Sequence, residues 1–499
     1  MSDGLVRKDK TLSRVMGILA VVFVLAGSIF PQRMNQALQN ALQFITGNFG
    51  WSFLLIVLGF VAFCLILAFS KYGNVKLGRP EDEPEYSTFS WFAMLFSAGM
   101  GIGLVFWSVA EPLSHYSNPP FGKPYSDEAI EIAMRYTFFH WGIHPWAVYG
   151  IVGLALAYFG FRKDLPMLIS STFQPILGER IKGPVGKALD GLAVFATIFG
   201  VATSLGLGTM QINSGLKYLF NIPNSIWTNI GIVAIITILF TLSALSGIGR
   251  GIKILSNTNV ALAVLLLIFM AIIGPTRFLV NLMTATVGQY MQSFLSMSLN
   301  TDPVKQTGWV NSWTVFYWAW WIAWAPFVGG FIARISKGRT IREFVLGVLI
   351  APVVFCFLWM GVFGGTALHL AGIQRQNIVP AVLKDIASGL FMVFHYYPLT
   401  GLLSGLALIL IITFFVTSAD SATFVVGMLL SHGSLEPAAS TKVFWGVIQG
   451  AIAVVLLITG GLTALQTASI VAAFPFMFVM VLMAYSMIMD LRREKTEVY

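Results

Sequence analysis

Only two cysteines, Cys64 and Cys356, stand in 499 residues, each inside an apolar run, so no structural disulfide is expected. Charge is equally scarce. Lys, Arg, Asp and Glu make up 10% of the chain, against roughly a quarter in soluble domains. With 57% of residues hydrophobic, a soluble globular class is excluded. Gly/Ser linkers are missing too, so no separate soluble domain is expected. No nucleophile, base and orienting group occur at useful spacing, which argues against a hydrolase. No small-residue cleavage pattern follows the first apolar run, "VMGILAVVFVLAGSIF", which therefore reads as a span rather than a leader.

What the chain has instead is apolar runs near twenty residues, each able to cross roughly 30 Å of hydrocarbon as a helix. They predict an all-α polytopic membrane protein with twelve spans, near 13–30, 50–70, 88–110, 138–160, 189–213, 225–245, 257–275, 312–333, 343–366, 401–428, 441–460 and 466–489. With the N-terminus inside, 22 of the 30 basic residues fall in cytoplasmic segments. The net charge of +9 is thus a topological signal rather than a nucleic-acid footprint, and both termini are expected in the cytoplasm. The expected organisation is a tail at 1–12, one transporter-sized domain at 13–490 and a second tail at 491–499. Two outer segments, "TRFLVNLMTATVGQYMQSFLSMSLN" and "NIVPAVLKDIASGLFMVFHYYP", are helical in pattern but only partly apolar; both are expected to lie along the surface.

The stretch "WTVFYWAWWIAWAPF" is the densest chemical signal. Tyr317, Trp320, Trp321 and Trp324 share one helical face, and Trp313 extends it. From Trp313 to Trp324 the rise is about 16 Å, too long for one interfacial belt, so some indoles must lie at depth, where each N–H needs a partner. One reading is a packed aromatic seam. The other is a box for a desolvated organic cation: a quaternary ammonium offers no N–H to a carboxylate, whereas ring faces attract it. A second aromatic set, Trp141, Trp146 and Tyr149 in "FFHWGIHPWAVYG", is placed to close such a box, with Pro145 expected to bend the backbone there. His140 and His144 share a face, but no third ligand stands at metal spacing; hydrogen-bonded structural histidines are expected.

In "FSAGMGIGLVFWSVAEP", Gly99, Gly101 and Gly103 alternate inside an apolar run. Each weakens a helix by about 1 kcal/mol relative to Ala. Helix packing is one explanation; local unwinding that bares backbone N–H groups to a carboxylate is the other. "FFVTSADSATF" brings Thr417, Ser418 and the intramembrane acid Asp420 together. Hydroxyls with loose carbonyls suit a hard cation such as Na⁺, and helix-to-helix hydrogen bonding is the competing use.

Taken together, "GMGIGLVFWSVAEP", "FHWGIHPWAVY", "FYWAWWIAWAPFVGGFIARISKGRTIREF" and "FFVTSADSA" resemble the betaine/choline/carnitine transporters over essentially the whole chain. The resemblance implies a LeuT-like fold: peripheral spans in 13–87, then an inverted repeat of spans 3–7 (88–283) and 8–12 (312–490), joined by an outer helix in 276–311. It implies a homotrimer in a bacterial plasma membrane. It implies import of glycine betaine or a similar methylated zwitterion by Na⁺ symport with alternating access, no other cofactor, and no enzyme activity.

Carried over residue by residue, the resemblance assigns the trimethylammonium box to Trp141, Trp146, Tyr149 and Trp321, with Trp320 and Trp324 lining the path. Gly99, Gly101 and Gly103 would face the carboxylate. One sodium site would use carbonyls of Ser97, Met100 and Phe414 with the hydroxyls of Thr417 and Ser418; a second would use Thr197 and the ring of Phe327, although Val201 stands where a further hydroxyl is common. Asn259, where sodium-independent exchangers carry arginine, favours Na⁺ coupling, and Gly103, where choline members carry aspartate, favours a zwitterion. Choline uptake and carnitine/butyrobetaine exchange are the alternatives within transport. An intramembrane enzyme or a non-transporting receptor is the alternative outside it.

Overall fold

A computed structural model describes residues 10–99, 101–246, 249–431, 433 and 437–494; the side chains of 10, 96–99, 244, 246 and 249–256 fall outside that description. Among the described residues the chain is helical throughout, with one isolated bridge between Lys76 and Thr340. Nine helices there are long and apolar enough to cross a membrane, and a tenth candidate is bent by 108° between Asn257–Ile273 and Thr276–Gln292. The chain is a multi-pass membrane protein. Its outer surface carries large apolar side chains with no protein cover, such as Phe69 and Ile272, each 71% exposed, as a surface solvated by lipid tails requires.

The segments expected as spans correspond to helices, with breaks that bear on their number. The 55-residue helix Ala439–Arg493 has non-helical backbone at Gly460 and Gly461, and the third apolar run divides into Thr88–Gly99 and Ile102–Ser117. The first outer segment forms Thr276–Gln292 beyond the 108° bend. The second forms the short helices Val379–Lys384 and Gly389–Phe394.

The innermost helices hold the chemistry. Ile143–Ala157 has all but its first residue buried, and Phe316–Arg334, the tryptophan helix, packs along it. Pro184–Phe220 packs against Ala439–Arg493, Thr400–Leu429 and the tryptophan helix. Between Asp127–Trp141 and Ile143–Ala157 the backbone breaks at Gly142 (φ −89°, ψ −139°). Pro145, expected to make that bend, instead sits in the first turn of the second helix, where its missing N–H costs nothing. A Cβ at Gly142 would lie 2.6 Å from the Phe138 carbonyl oxygen and 2.8 Å from the Tyr290 hydroxyl, while Tyr290 Oη accepts the Ile143 N–H at 3.2 Å. This break sets Trp141 and Trp146 on opposite sides of a corner.

Candidate functional site

The interruption in the third apolar run has a simple local cause. Thr88–Gly99 ends, and Ile102–Ser117 starts from Gly101 in extended conformation (φ −157°, ψ 179°), without a capping side chain. A helix N-terminus without a cap keeps unsatisfied amide N–H groups and the positive end of its dipole. Ile102, Gly103 and Leu104 line a cavity of 780 Å³, so this end opens onto it. A Cβ on Gly101 would meet nothing within 4 Å, whereas one on Gly103 would stand 2.2 Å from the Trp320 ring. Gly103 is therefore where the indole lies against bare backbone. Gly99 closes the preceding helix; Met100 lies outside the described residues, as does the side chain of Ser97.

Trp141, Trp146, Tyr149, Trp320, Trp321 and Trp324 all line the same cavity. Their mutual angles make walls rather than a stack. Trp141 meets Trp321 at 84° with ring centres 5.0 Å apart, Tyr149 meets Trp321 at 89° and 5.7 Å, and Trp146 meets Tyr149 at 81° and 5.5 Å. Edge-to-face contacts of this kind let several negative ring faces look into one space. Trp320 runs nearly parallel to Trp321, at 21° and 5.4 Å. Tyr317, Trp313 and Trp318 do not line the cavity: Trp313 packs edge-on to His115 at 4.5 Å, and Trp318 stacks on His144 at 5.1 Å.

The indole N–H groups of four of these residues find partners in protein. Trp321 donates to the His140 carbonyl (3.1 Å), Trp324 to the Gly200 carbonyl (2.8 Å), Trp320 to Ser204 Oγ (3.2 Å) and Trp141 to Glu111 Oε2 (2.8 Å). Each ring is thus fixed at its edge, and Trp320 is further held between Phe316 and Trp321, which stack on it at 5.7 and 5.4 Å. Glu111, fully buried, also accepts from Tyr317 Oη at 2.5 Å and meets His140 Nδ1 at 2.7 Å and His115 Nε2 at 3.1 Å. The expectation that His140 lacks neighbouring ligands is thereby corrected: Glu111 and His115 reach it across 29 and 25 positions of chain. These are hydrogen-bond separations, however. A metal would stand about 2 Å from every ligand, while here the candidate ligands already bond to one another. His144 instead meets Ser298 Oγ at 2.8 Å.

The same lining also carries polar groups. Thr417, Ser418 and Asn259 border the cavity, as do Phe414 and Phe327, the latter with its ring edge-on to Trp324 at 5.3 Å. Thr417 Oγ1 donates within its own helix, to Thr413 O at 3.0 Å and Phe414 O at 3.2 Å, and accepts weakly from Asn259 Nδ2 at 3.4 Å. Asn259 Oδ1 is buried with no hydrogen-bond partner among the described residues, a spare hard oxygen on a side chain that reaches the Thr417 hydroxyl. Thr197 lies away from the cavity lining, its hydroxyl donating to Ala193 O at 2.8 Å, and buried Val201 follows one turn on. Asp420 likewise lies outside the lining and accepts from Ser243 Oγ at 2.8 Å.

Sequence reading passed over Glu111 altogether. One signal was available: an acid in the middle of an apolar span is costly and marks function by default. Ser204, Gly200 O and Asn259 Oδ1 carry no such signal, because their roles arise only from the packing of distant helices.

A family model described as betaine/carnitine/choline family transporter matches residues 12–496. Among curated relatives, the glycine betaine transporter OpuD of Bacillus subtilis is 53% identical, covering 98% of this chain and 96% of its own. A probable glycine betaine transporter of Desulfitobacterium hafniense is 48% identical, covering 99% and 100%. An ectoine/hydroxyectoine transporter of Virgibacillus pantothenticus is 46% identical, covering 95% and 94%.

Proposed function

The chain belongs to the betaine/carnitine/choline family of transporters, and from that premise we propose that it imports glycine betaine or a closely related methylated zwitterion by Na⁺ symport. The family membership makes it a membrane transporter rather than an enzyme. The observation that carries the substrate reading is the pairing of two unlike surfaces in one 780 Å³ cavity. Trp141, Trp146, Tyr149 and Trp321 meet edge to face in its wall, and the uncapped start of Ile102–Ser117 opens onto the same space beside Trp320.

A trimethylammonium cannot donate a hydrogen bond, so ring faces are its natural solvent, each worth up to ~2 kcal/mol when dry. The carboxylate has the opposite need, met by backbone N–H groups and a positive helix end. Choline lacks the carboxylate, and Gly103 puts no anion in its place. Its unopposed charge therefore finds less here than a zwitterion does.

Na⁺ enters this reading as cargo. Thr417 and Ser418 hydroxyls, the Phe414 carbonyl and carbonyls of Ser97 and Met100 are its proposed ligands, with Thr197 and Phe327 a second set. Twelve spans arranged as repeats 88–283 and 312–490, both termini in the cytoplasm and a homotrimer in a bacterial plasma membrane complete the proposal. What supports the repeat reading is that both candidate halves supply a wall of the same cavity, the first from its broken span and the second from the tryptophan helix. Opening and closing one group of helices over this cavity would give alternating access.

The test is uptake of labelled glycine betaine into proteoliposomes with and without an inward Na⁺ gradient, competed by carnitine, ectoine and choline. Accumulation above equilibrium only with the gradient, blocked by methylated zwitterions before choline, is the expected result. Equal uptake without Na⁺, or choline as the strongest competitor, contradicts it.

A further inference from the structure

We propose that Glu111 keeps a buried negative charge behind the aromatic box, and that this charge is what makes the box prefer a cation over a neutral group of the same shape. The inference rests on the reading of the cavity as an onium site. It concerns a residue that never touches the substrate, a positioning and specificity residue acting through Trp141.

The geometry is unusual for a membrane interior. Glu111 and both neighbouring histidines are 0% exposed. Four groups converge on its carboxylate: Trp141 Nε1 at 2.8 Å and Tyr317 Oη at 2.5 Å on Oε2, His140 Nδ1 at 2.7 Å and His115 Nε2 at 3.1 Å on Oε1. An ionised carboxylate only accepts, and two oxygens offer about four lone-pair sites. Here four partners supply four protons, if each imidazole carries its single proton on the nitrogen facing Glu111. In those tautomers His140 Nε2 accepts from Thr314 Oγ1 at 3.0 Å, and His115 Nδ1, which has no partner among the described residues, is a bare acceptor rather than a buried donor. With the imidazoles in those tautomers, protonating Glu111 would set a fifth hydrogen among four that already fill the site. Burial alone opposes a charge, but hydrogen bonds to the charged form are what offset that cost.

Among the described residues no Lys or Arg pairs with this carboxylate. The charge is therefore uncancelled by any fixed cation. Trp141, whose N–H it holds, is itself a wall of the cavity, and Trp321 stands edge to face with Trp141 at 5.0 Å. A negative charge hydrogen-bonded to an indole N–H draws electron density onto the ring face. In a dry site it also attracts a cation on the far side of that ring directly. Both effects act on a charged onium and neither acts on an uncharged tert-butyl group. Tyr317 joins the same carboxylate and stacks on His140 at 4.7 Å, which holds the assembly rigid.

The experiment compares binding of glycine betaine with that of 3,3-dimethylbutyrate, in which carbon replaces the quaternary nitrogen. It uses the purified full chain with Na⁺ at fixed concentration, for the wild type, Glu111→Gln and Glu111→Asp. Gln keeps the shape and an oxygen for Trp141 but removes the charge; Asp keeps the charge. The wild type is expected to prefer betaine at least tenfold. Glu111→Gln is expected to lose at least fivefold of that preference with dimethylbutyrate affinity held within twofold. Glu111→Asp is expected to keep the preference within threefold whatever its absolute affinity. Equal weakening of both ligands in the Gln variant, or preference lost in the Asp variant, overturns the proposal. Failure of the wild type to prefer betaine at all removes the onium site itself, and this inference with it.

Discussion

The aromatic and the polar parts of the cavity lining are built on opposite principles. Among the rings, the edges are held by protein: the indole N–H groups of Trp141, Trp320, Trp321 and Trp324 are spoken for by Glu111, Ser204, His140 O and Gly200 O. Among the polar groups capacity is left over. Ile102–Ser117 starts without a side-chain cap, Asn259 Oδ1 has no partner among the described residues, and Thr417 is held mainly by its own helix. An onium offers no hydrogen bonds, so its site must satisfy every polar group internally before it arrives. A carboxylate or Na⁺ brings strong interactions of its own, so its site must keep donors and oxygens in reserve. Rigidity among the rings and unsatisfied valence among the polar groups are the same design rule applied to two kinds of charge.

That contrast can be broken by substitution, beginning where the effect is largest. Trp321→Leu removes the wall shared by Trp141 and Tyr149. With up to ~2 kcal/mol per ring face, betaine affinity is expected to fall by up to about 30-fold. Half-saturation of uptake measures it, and a variant of wild-type affinity would remove Trp321 from the box. Next comes Gly103→Ala. Its Cβ has no room beside Trp320, and overpacking of about 1–3 kcal/mol should weaken betaine binding roughly tenfold. Unchanged binding would mean that the ring position is not critical.

Among the polar lining groups, effects should fall on the ion instead. Thr417→Ala is expected to raise the Na⁺ concentration for half-maximal uptake by roughly three- to tenfold, the worth of one hydrogen-bonding oxygen. Betaine affinity at saturating Na⁺ should stay nearly constant, and an unaltered Na⁺ dependence excludes Thr417 as a ligand. Smallest of all is Gly101→Ala. Its φ of −157° suits any residue, and the added methyl meets nothing within 4 Å. Less than about threefold change is expected, in keeping with a modest N-cap penalty. A loss as large as that of Gly103→Ala would show that Gly101 has a closer role than its surroundings suggest.

Much of this was legible in the chain itself. Apolar length announces membrane helices because lipid leaves the backbone no other partner. The stripe at Tyr317, Trp320, Trp321 and Trp324 announces a face because helical spacing is local. Which rings of the stripe look into a cavity was not legible from spacing: Tyr317 shares the stripe yet turns its hydroxyl to Glu111, while Trp320, Trp321 and Trp324 line the cavity. The bend beside Trp141 was placed at Pro145 because proline is the commonest helix breaker, but the crowding of Phe138 O and Tyr290 puts it at Gly142. Tyr290 is 148 positions from that glycine, and no local pattern reports such a contact. Glu111 hid for the same reason: its partners Trp141 and Tyr317 lie 30 and 206 positions away.

The most direct measurement replaces Trp321, in the otherwise native full chain, with tryptophan bearing one, two and then three fluorines. Fluorine withdraws electron density from the ring face while barely changing its size. If the ring face solvates the onium, the logarithm of betaine affinity should fall in even steps with each fluorine, while 3,3-dimethylbutyrate affinity stays level. A flat response for betaine, or parallel losses for both ligands, would contradict the aromatic box as an electrostatic cation site.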